Sequence, residues 1–223
     1  MKISSLTQSV LNFLRIEIIT GVLAPGQKLN ETQLSSRFGI SRPPLREAFR
    51  LLEHDRLVVS IPRKGTYVKQ ISMQDLQEIY QARQMIECYA IDLLKAKNIR
   101  ELPKVASALI EAYGLSKPSR QNLKELLVSR DIFACYHVKL VESAGNSQIT
   151  NFYEAISSNL ARYEYLLFSI PHRWKRSLED HQEILNLIKM GAYDEAKERL
   201  RVHIDFIAEF QKRILRRKTH QEK

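Results

Sequence analysis

FGISRPPLREAFRLLEH, residues 38–54, is the stretch that decides how this chain reads. Gly39 stops whatever precedes it, and Ser41 then stands as the cap of a new helix. Pro43 and Pro44 fall in its first turn, where missing N–H groups cost little. On a helical wheel Leu45, Phe49 and Leu52 share one face, with Ala48 beside them. Arg42, Arg46 and Arg50 run down a neighbouring face at i, i+4 and i+8. An apolar face packs inward and an arginine stripe points out. Guanidinium forks bind phosphate and pair bidentately with guanine O6 and N7 in a major groove. Ser41 and the free N–H groups beside it suit a phosphate.

The flanks complete a small module. Val10, Leu11, Leu14, Ile18 and Ile19 recur at helical spacing, predicting a helix over about 6–20 that Gly21 ends. Asn30-Glu31-Thr32-Gln33 has capping-box form and opens a short helix to about Phe38. Beyond His54, Leu57–Ser60 and Thr66–Lys69 read as short strands around the tip Ile61-Pro62-Arg63-Lys64-Gly65. Arg63 and Lys64 bring charge to that tip, and Gly65 permits close backbone approach, which suits a wing entering a minor groove. A solvated basic face is the plain alternative for the stripe alone; the hairpin tip argues for DNA.

Charge follows the same division. The chain has 223 residues, a formal net charge of +10 and a pI near 9.6, which favours an anionic partner, nucleic acid or an acidic membrane surface. Residues 1–70 hold 11 Lys/Arg against 5 Asp/Glu, whereas 71–210 hold 18 against 19. The tail from 211 holds 6 against 1 and reads as a solvated helix end. No apolar run reaches the roughly 18 residues of a membrane span, and the first 21 residues lack the form of a signal peptide. Cys88 and Cys135 make no disulfide framework, which fits a reducing cytoplasm, the expected location.

From 73 onward every pattern is helical, with stretches at about 73–96, 101–113, 121–143, 147–168, 176–190 and 193–217. The fold class is therefore mainly α: a winged helix-turn-helix over 1–70 and an all-α bundle of about six helices over 73–217. His181 and His203 lie equally far from residue 192, at the Gly191-Ala192 joint of two helices. In an antiparallel hairpin they stand level and can face one another. His137 shares an inward stripe with Leu126, Phe133 and Leu140 on another helix. Three inward imidazoles suit zinc or nickel, or are three separately satisfied core histidines. Arg83 lies on the apolar stripe of Leu76, Ile79, Ile86 and Ala90. It needs a partner there: Glu87 one turn on, or the carboxylate of an incoming ligand.

At this point residues 16–69 resemble the winged helix-turn-helix of GntR-type bacterial repressors. The run Ile19-Thr20-Gly21, Pro25-Gly26, Leu29, Glu31, Leu34, Phe38 to Ala48, Leu51-Leu52, Leu57-Val58 and Arg63 to Val68 carries the match in register. The rest is similar to the FCD effector domain of the FadR-like branch, through Tyr80 to Arg83 with Glu87, Tyr136-His137, Gly145-Asn146, Asp180-His181, Ile184 and His203. The resemblance implies a ligand-responsive transcription regulator, expected to act as a repressor; the few base contacts of one small reading head predict a homodimer on a near-palindromic operator. It implies operator contacts at Arg42, Arg46 and Gly65, and gives Thr32 a position where some members carry a reading arginine. With Ser41, Pro43, Arg50 and Lys64 these make the expected DNA-binding set. It also implies an effector contact at Arg83, taken to be a small carboxylate, and a metal at His137, His181 and His203. The family's usual fourth ligand is an aspartate four residues before the first histidine; here that position is Phe133, and Asp131 lies on a different face. That departure is expected to weaken the site. A metal-dependent enzyme built on the histidines, and a nucleoid protein without an effector, are the alternatives; no general base stands out and a DNA-binding module is superfluous for the first, and an inward arginine with histidines argues against the second.

Overall fold

The computed structural model describes residues 5–114, 134–168 and 173–221. The chain divides into two compact units, Met1–Ser72 and Met73–Lys223. The expected positions Leu126, Asp131 and Phe133 lie outside the described residues.

In the first unit α1 spans Ser5–Ile19, α2 Glu31–Phe38 and α3 Arg42–His54. Asn30 caps α2 by accepting from the backbone N–H groups of Thr32 and Gln33, at 3.0 and 3.1 Å. Gly39, at φ 63°, ends it with the N–H of Gly39 on the Ser36 carbonyl and that of Ile40 on Ser35. Leu45, Ala48, Phe49 and Leu52 of α3 are buried against Val10, Leu11, Leu14 and Ile18 of α1. A buried carboxylate, Glu17, takes both NH groups of Arg37 and ties α1 to α2.

The wing strands sit one residue from their expected positions, β2 at Val58–Ile61 and β3 at Gly65–Val68. The tip closes with Lys64 N–H on the Ile61 carbonyl, and Arg63 takes the left-handed conformation at φ 63°. A further two-residue strand, β1 (Lys28–Leu29), pairs antiparallel with β3, giving the sheet order β1-β3-β2. Two residues carry no alternation, so β1 leaves no mark in the sequence; only pairing with Thr66 and Tyr67 defines it.

The second unit is helical throughout its described residues: α4 (Met73–Ala96), α5 (Pro103–Gly114), α6 (134–143), α7 (Ser147–Phe168), α8 (Arg173–Met190) and α9 (Tyr193–Gln221). α8 begins three residues before its expected start and takes in Arg173 and Trp174. α4 packs against α9 and α7, with Ile86 and Ala90 meeting Val141, Ala144 and Tyr153. α8 and α9 form the hairpin expected around Gly191. That glycine sits at φ 82°, donating to Ile188, while Ala192 donates to Leu187.

Candidate DNA-reading helix and histidine centre

In the first unit α3 presents its arginines to solvent. Arg42, Arg46 and Arg50 are all exposed and are held by light contacts. Arg46 Nε lies 3.1 and 3.0 Å from the two Glu31 carboxylate oxygens, Arg42 reaches Thr32 Oγ1 at 3.4 Å, and Arg50 reaches Glu47 at 3.5 Å. The first turn of α2 therefore supports two arginines of α3, including the one whose partner is Thr32. Exposed pairs of this kind are worth at most about 1 kcal/mol, so a phosphate or base edge displaces them easily. Ser41 makes no side-chain bond to its own helix. Lys64 and Gly65 are exposed at the wing tip.

The second unit brings His137, His181 and His203 together from α6, α8 and α9. All three are buried, and one ring nitrogen from each falls within 4.8 Å of the others, a metal-sized cluster among the described residues. The level placement of His181 and His203 gives a 3.1 Å contact between their Nε2 atoms. Tyr136 stacks on His181 with centroids 4.1 Å apart and donates its hydroxyl to the His181 carbonyl.

The outer nitrogens are held by carboxylates. His137 Nδ1 donates to Glu87 Oε2 at 2.8 Å, and His203 Nδ1 donates to Asp180 Oδ2 at 2.9 Å. Arg199 binds the other Asp180 oxygen. A carboxylate on Nδ1 keeps the proton there and frees Nε2 as a ligand. Burial pushes His137 down to about 4 and moves His181 and His203 in the same direction, with the Arg83 charge adding to the first. All three are neutral near pH 7, the form that binds metal. The two carboxylates also alter the charge reading. Three imidazoles alone would leave a dication uncompensated, but Glu87 and Asp180 place negative charge directly behind two of them.

Arg83 is fully enclosed, 1% exposed. Its Nε donates to Glu87 Oε1 at 2.7 Å and its NH1 to Glu164 Oε1 at 3.0 Å. Glu87 also accepts the Tyr153 hydroxyl at 2.8 Å. Burial alone would raise the Glu87 carboxyl; His137 and Arg83 outweigh it and hold it at about 2. The Glu87 partner was legible from the spacing, whereas Glu164, 81 residues from Arg83, was not. The sequence ties neither Glu87 nor Asp180 to a histidine ligand atom; its signals are an acidic residue one turn from Arg83 and another adjoining His181.

Family models match both units. The model for "Bacterial regulatory proteins, gntR family" covers residues 6–68, and that for the FCD domain covers 78–206. The chain is a GntR-family transcription regulator with an FCD domain. It is similar to the HTH-type transcriptional regulator YdhC of Bacillus subtilis, at 28% identity over 92% of this chain and 90% of that one. It is also similar to the transcriptional repressor RspR of Escherichia coli, at 27% identity over 93% of this chain and 89% of that one. A GntR regulator structure from Rhodococcus sp. RHA1 shares the fold, with a TM-score of 0.72 at 22% identity, covering 93% of this chain and 98% of that one. The family and these relatives are regulators, not enzymes. GntR-family regulators bind DNA, FCD domains bind small-molecule effectors, and FCD domains often bind metals. No helix among the described residues is long and apolar enough to cross a membrane.

Proposed function

We propose that this regulator is a repressor that binds a near-palindromic operator as a homodimer in the cytoplasm and answers to a small carboxylate metabolite. The reading α3 is supported by the exposed Arg42, Arg46 and Arg50, with Ser41 and Pro43 at its start, Thr32 beside it, and Lys64 and Gly65 at the wing. Two copies on two half-sites double the few base contacts one small head can make.

The observation that carries the sensing half is the histidine centre. His137, His181 and His203 fit a borderline cation such as zinc or nickel, with neutral nitrogens turned to one point and Nδ1 of two of them fixed by Glu87 and Asp180. A metal bound there supplies positive charge and a coordination position for an oxygen ligand. Arg83 lies on the other side of Glu87 and offers a bidentate partner to a carboxylate. Glu164 already occupies its NH1, so an incoming acid exchanges with Glu164. Metal and acid then raise each other's affinity by the same factor.

A mobility-shift assay on DNA upstream of the neighbouring genes tests the reading, with and without zinc and a panel of organic and fatty acids. The expected result is a retarded complex whose affinity changes with one class of acid, and more strongly when zinc is present. A complex indifferent to every acid and to zinc would contradict the sensing half and leave DNA binding standing.

A further inference from the structure

Glu87 is wholly buried, yet its two oxygens serve three helices. Oε1 accepts from Arg83 Nε of α4 at 2.7 Å and from the Tyr153 hydroxyl of α7 at 2.8 Å. Oε2 accepts from His137 Nδ1 of α6 at 2.8 Å. Among the described residues, no other carboxylate touches both the histidine centre and the arginine that carries Glu164. We propose that Glu87 is the positioning residue that makes His137 a metal ligand and the physical link through which the histidine centre and the Arg83–Glu164 pair affect one another.

The argument is one of proton placement. An ionised carboxylate has only acceptors, so His137 must keep its proton on Nδ1 and present a bare Nε2 to the centre. The Arg83 guanidinium draws on the same carboxylate. Whatever strengthens its hold on Glu87 weakens Glu87 as the acceptor for His137 and lowers the basicity of the ligand nitrogen. Glu164 shares the Arg83 charge with Glu87. Removing Glu164 charge, or exchanging it for another group, therefore reaches the histidine centre through one shared carboxylate. The effect is reciprocal, because coupling free energies are symmetric.

Glu87→Gln tests this at a single atom. Arg83 and Tyr153 keep the amide oxygen as their acceptor, which turns the amide NH2 toward His137. Nδ1 must then accept, and the proton moves to Nε2, where it blocks ligation. This inference rests on the metal reading above, so the experiment has one arm that needs no metal. In metal-free full-length protein, imidazole 15N shifts should report Nδ1–H for His137 in the wild type and Nε2–H in Glu87→Gln. In the second arm zinc is titrated against a chromophoric chelator. Glu87→Gln should lose about 10- to 100-fold in zinc affinity. Glu164→Gln should lose several-fold in the wild-type background and markedly less in the Glu87→Gln background. Circular dichroism of each variant identifies loss of fold.

An Nε2–H tautomer of His137 in the wild type overturns the positioning role, as does unchanged zinc affinity in a folded Glu87→Gln. Additive losses in the double variant overturn the link, since field effects through space add without Glu87. Expected tautomers in a wild type that binds no zinc would uphold the placement of the proton, overturn the link, and show that the metal reading itself had failed. If Glu87→Gln does not fold, Glu87→Asp carries the same two readouts, with the wild-type tautomer and a partial loss of zinc affinity expected.

Discussion

Arg83 holds two carboxylates on one guanidinium inside the second unit, and its surroundings change how it can be tested. Replacing it with alanine leaves Glu87 buried beside Glu164 with no cation between them. Breaking a buried pair in this way costs roughly 3–5 kcal/mol. Urea unfolding of Arg83→Ala should show a loss of that size, and Arg83→Lys a smaller one, because lysine keeps the charge but not the fork. Loss of acid binding is therefore informative only in the lysine variant. The sequence placed Arg83 inward because Leu76, Ile79, Ile86 and Ala90 share its stripe, and Glu87 at i+4 follows from helix geometry alone. Spacing about Gly191 brought His181 and His203 level for the same reason. Glu164 and the Asp180–His203 contact were hidden because they depend on how helices are rotated against one another, which periodicity does not fix.

At the scale of elements the reading head was the most legible part. α2 and α3 keep their expected bounds because each carries its own punctuation: Asn30 and Gly39 around one, Ser41 before the other with two prolines in its first turn. Asn30→Ala should cost about 0.5–2 kcal/mol in chemical unfolding, since it leaves the Thr32 and Gln33 N–H groups without their acceptor. Leu52→Ala opens a cavity where three helical elements meet the wing and should cost roughly 2–5 kcal/mol by the same measurement. The wing was less legible. Its register depends on the pairing of Ile61 with Gly65 around a tip in which a non-glycine residue, Arg63, takes positive φ. No residue preference announces that. Lys64 sits on this tip, and if it meets a phosphate, Lys64→Ala should reduce the slope of log K against log salt by about one unit.

At the scale of the whole molecule, a basic winged helix-turn-helix unit is joined to a nearly neutral unit with a buried polar centre. Dialysis of untagged protein against a chelator should lower the melting temperature of the second unit, and zinc should restore it, because a ligand bound only to the native state adds apparent stability. Sedimentation analysis should find a dimer in free solution. The central claim is that α3 enters the groove, and fluorescence anisotropy on upstream operator DNA at one fixed salt concentration tests it most directly. Arg46→Ala, an exposed position whose loss spares the core, should weaken operator binding by about 10- to 100-fold, the equivalent of one good base contact, while its thermal melt stays that of the wild type. Operator affinity unchanged in a folded Arg46→Ala variant would contradict the account.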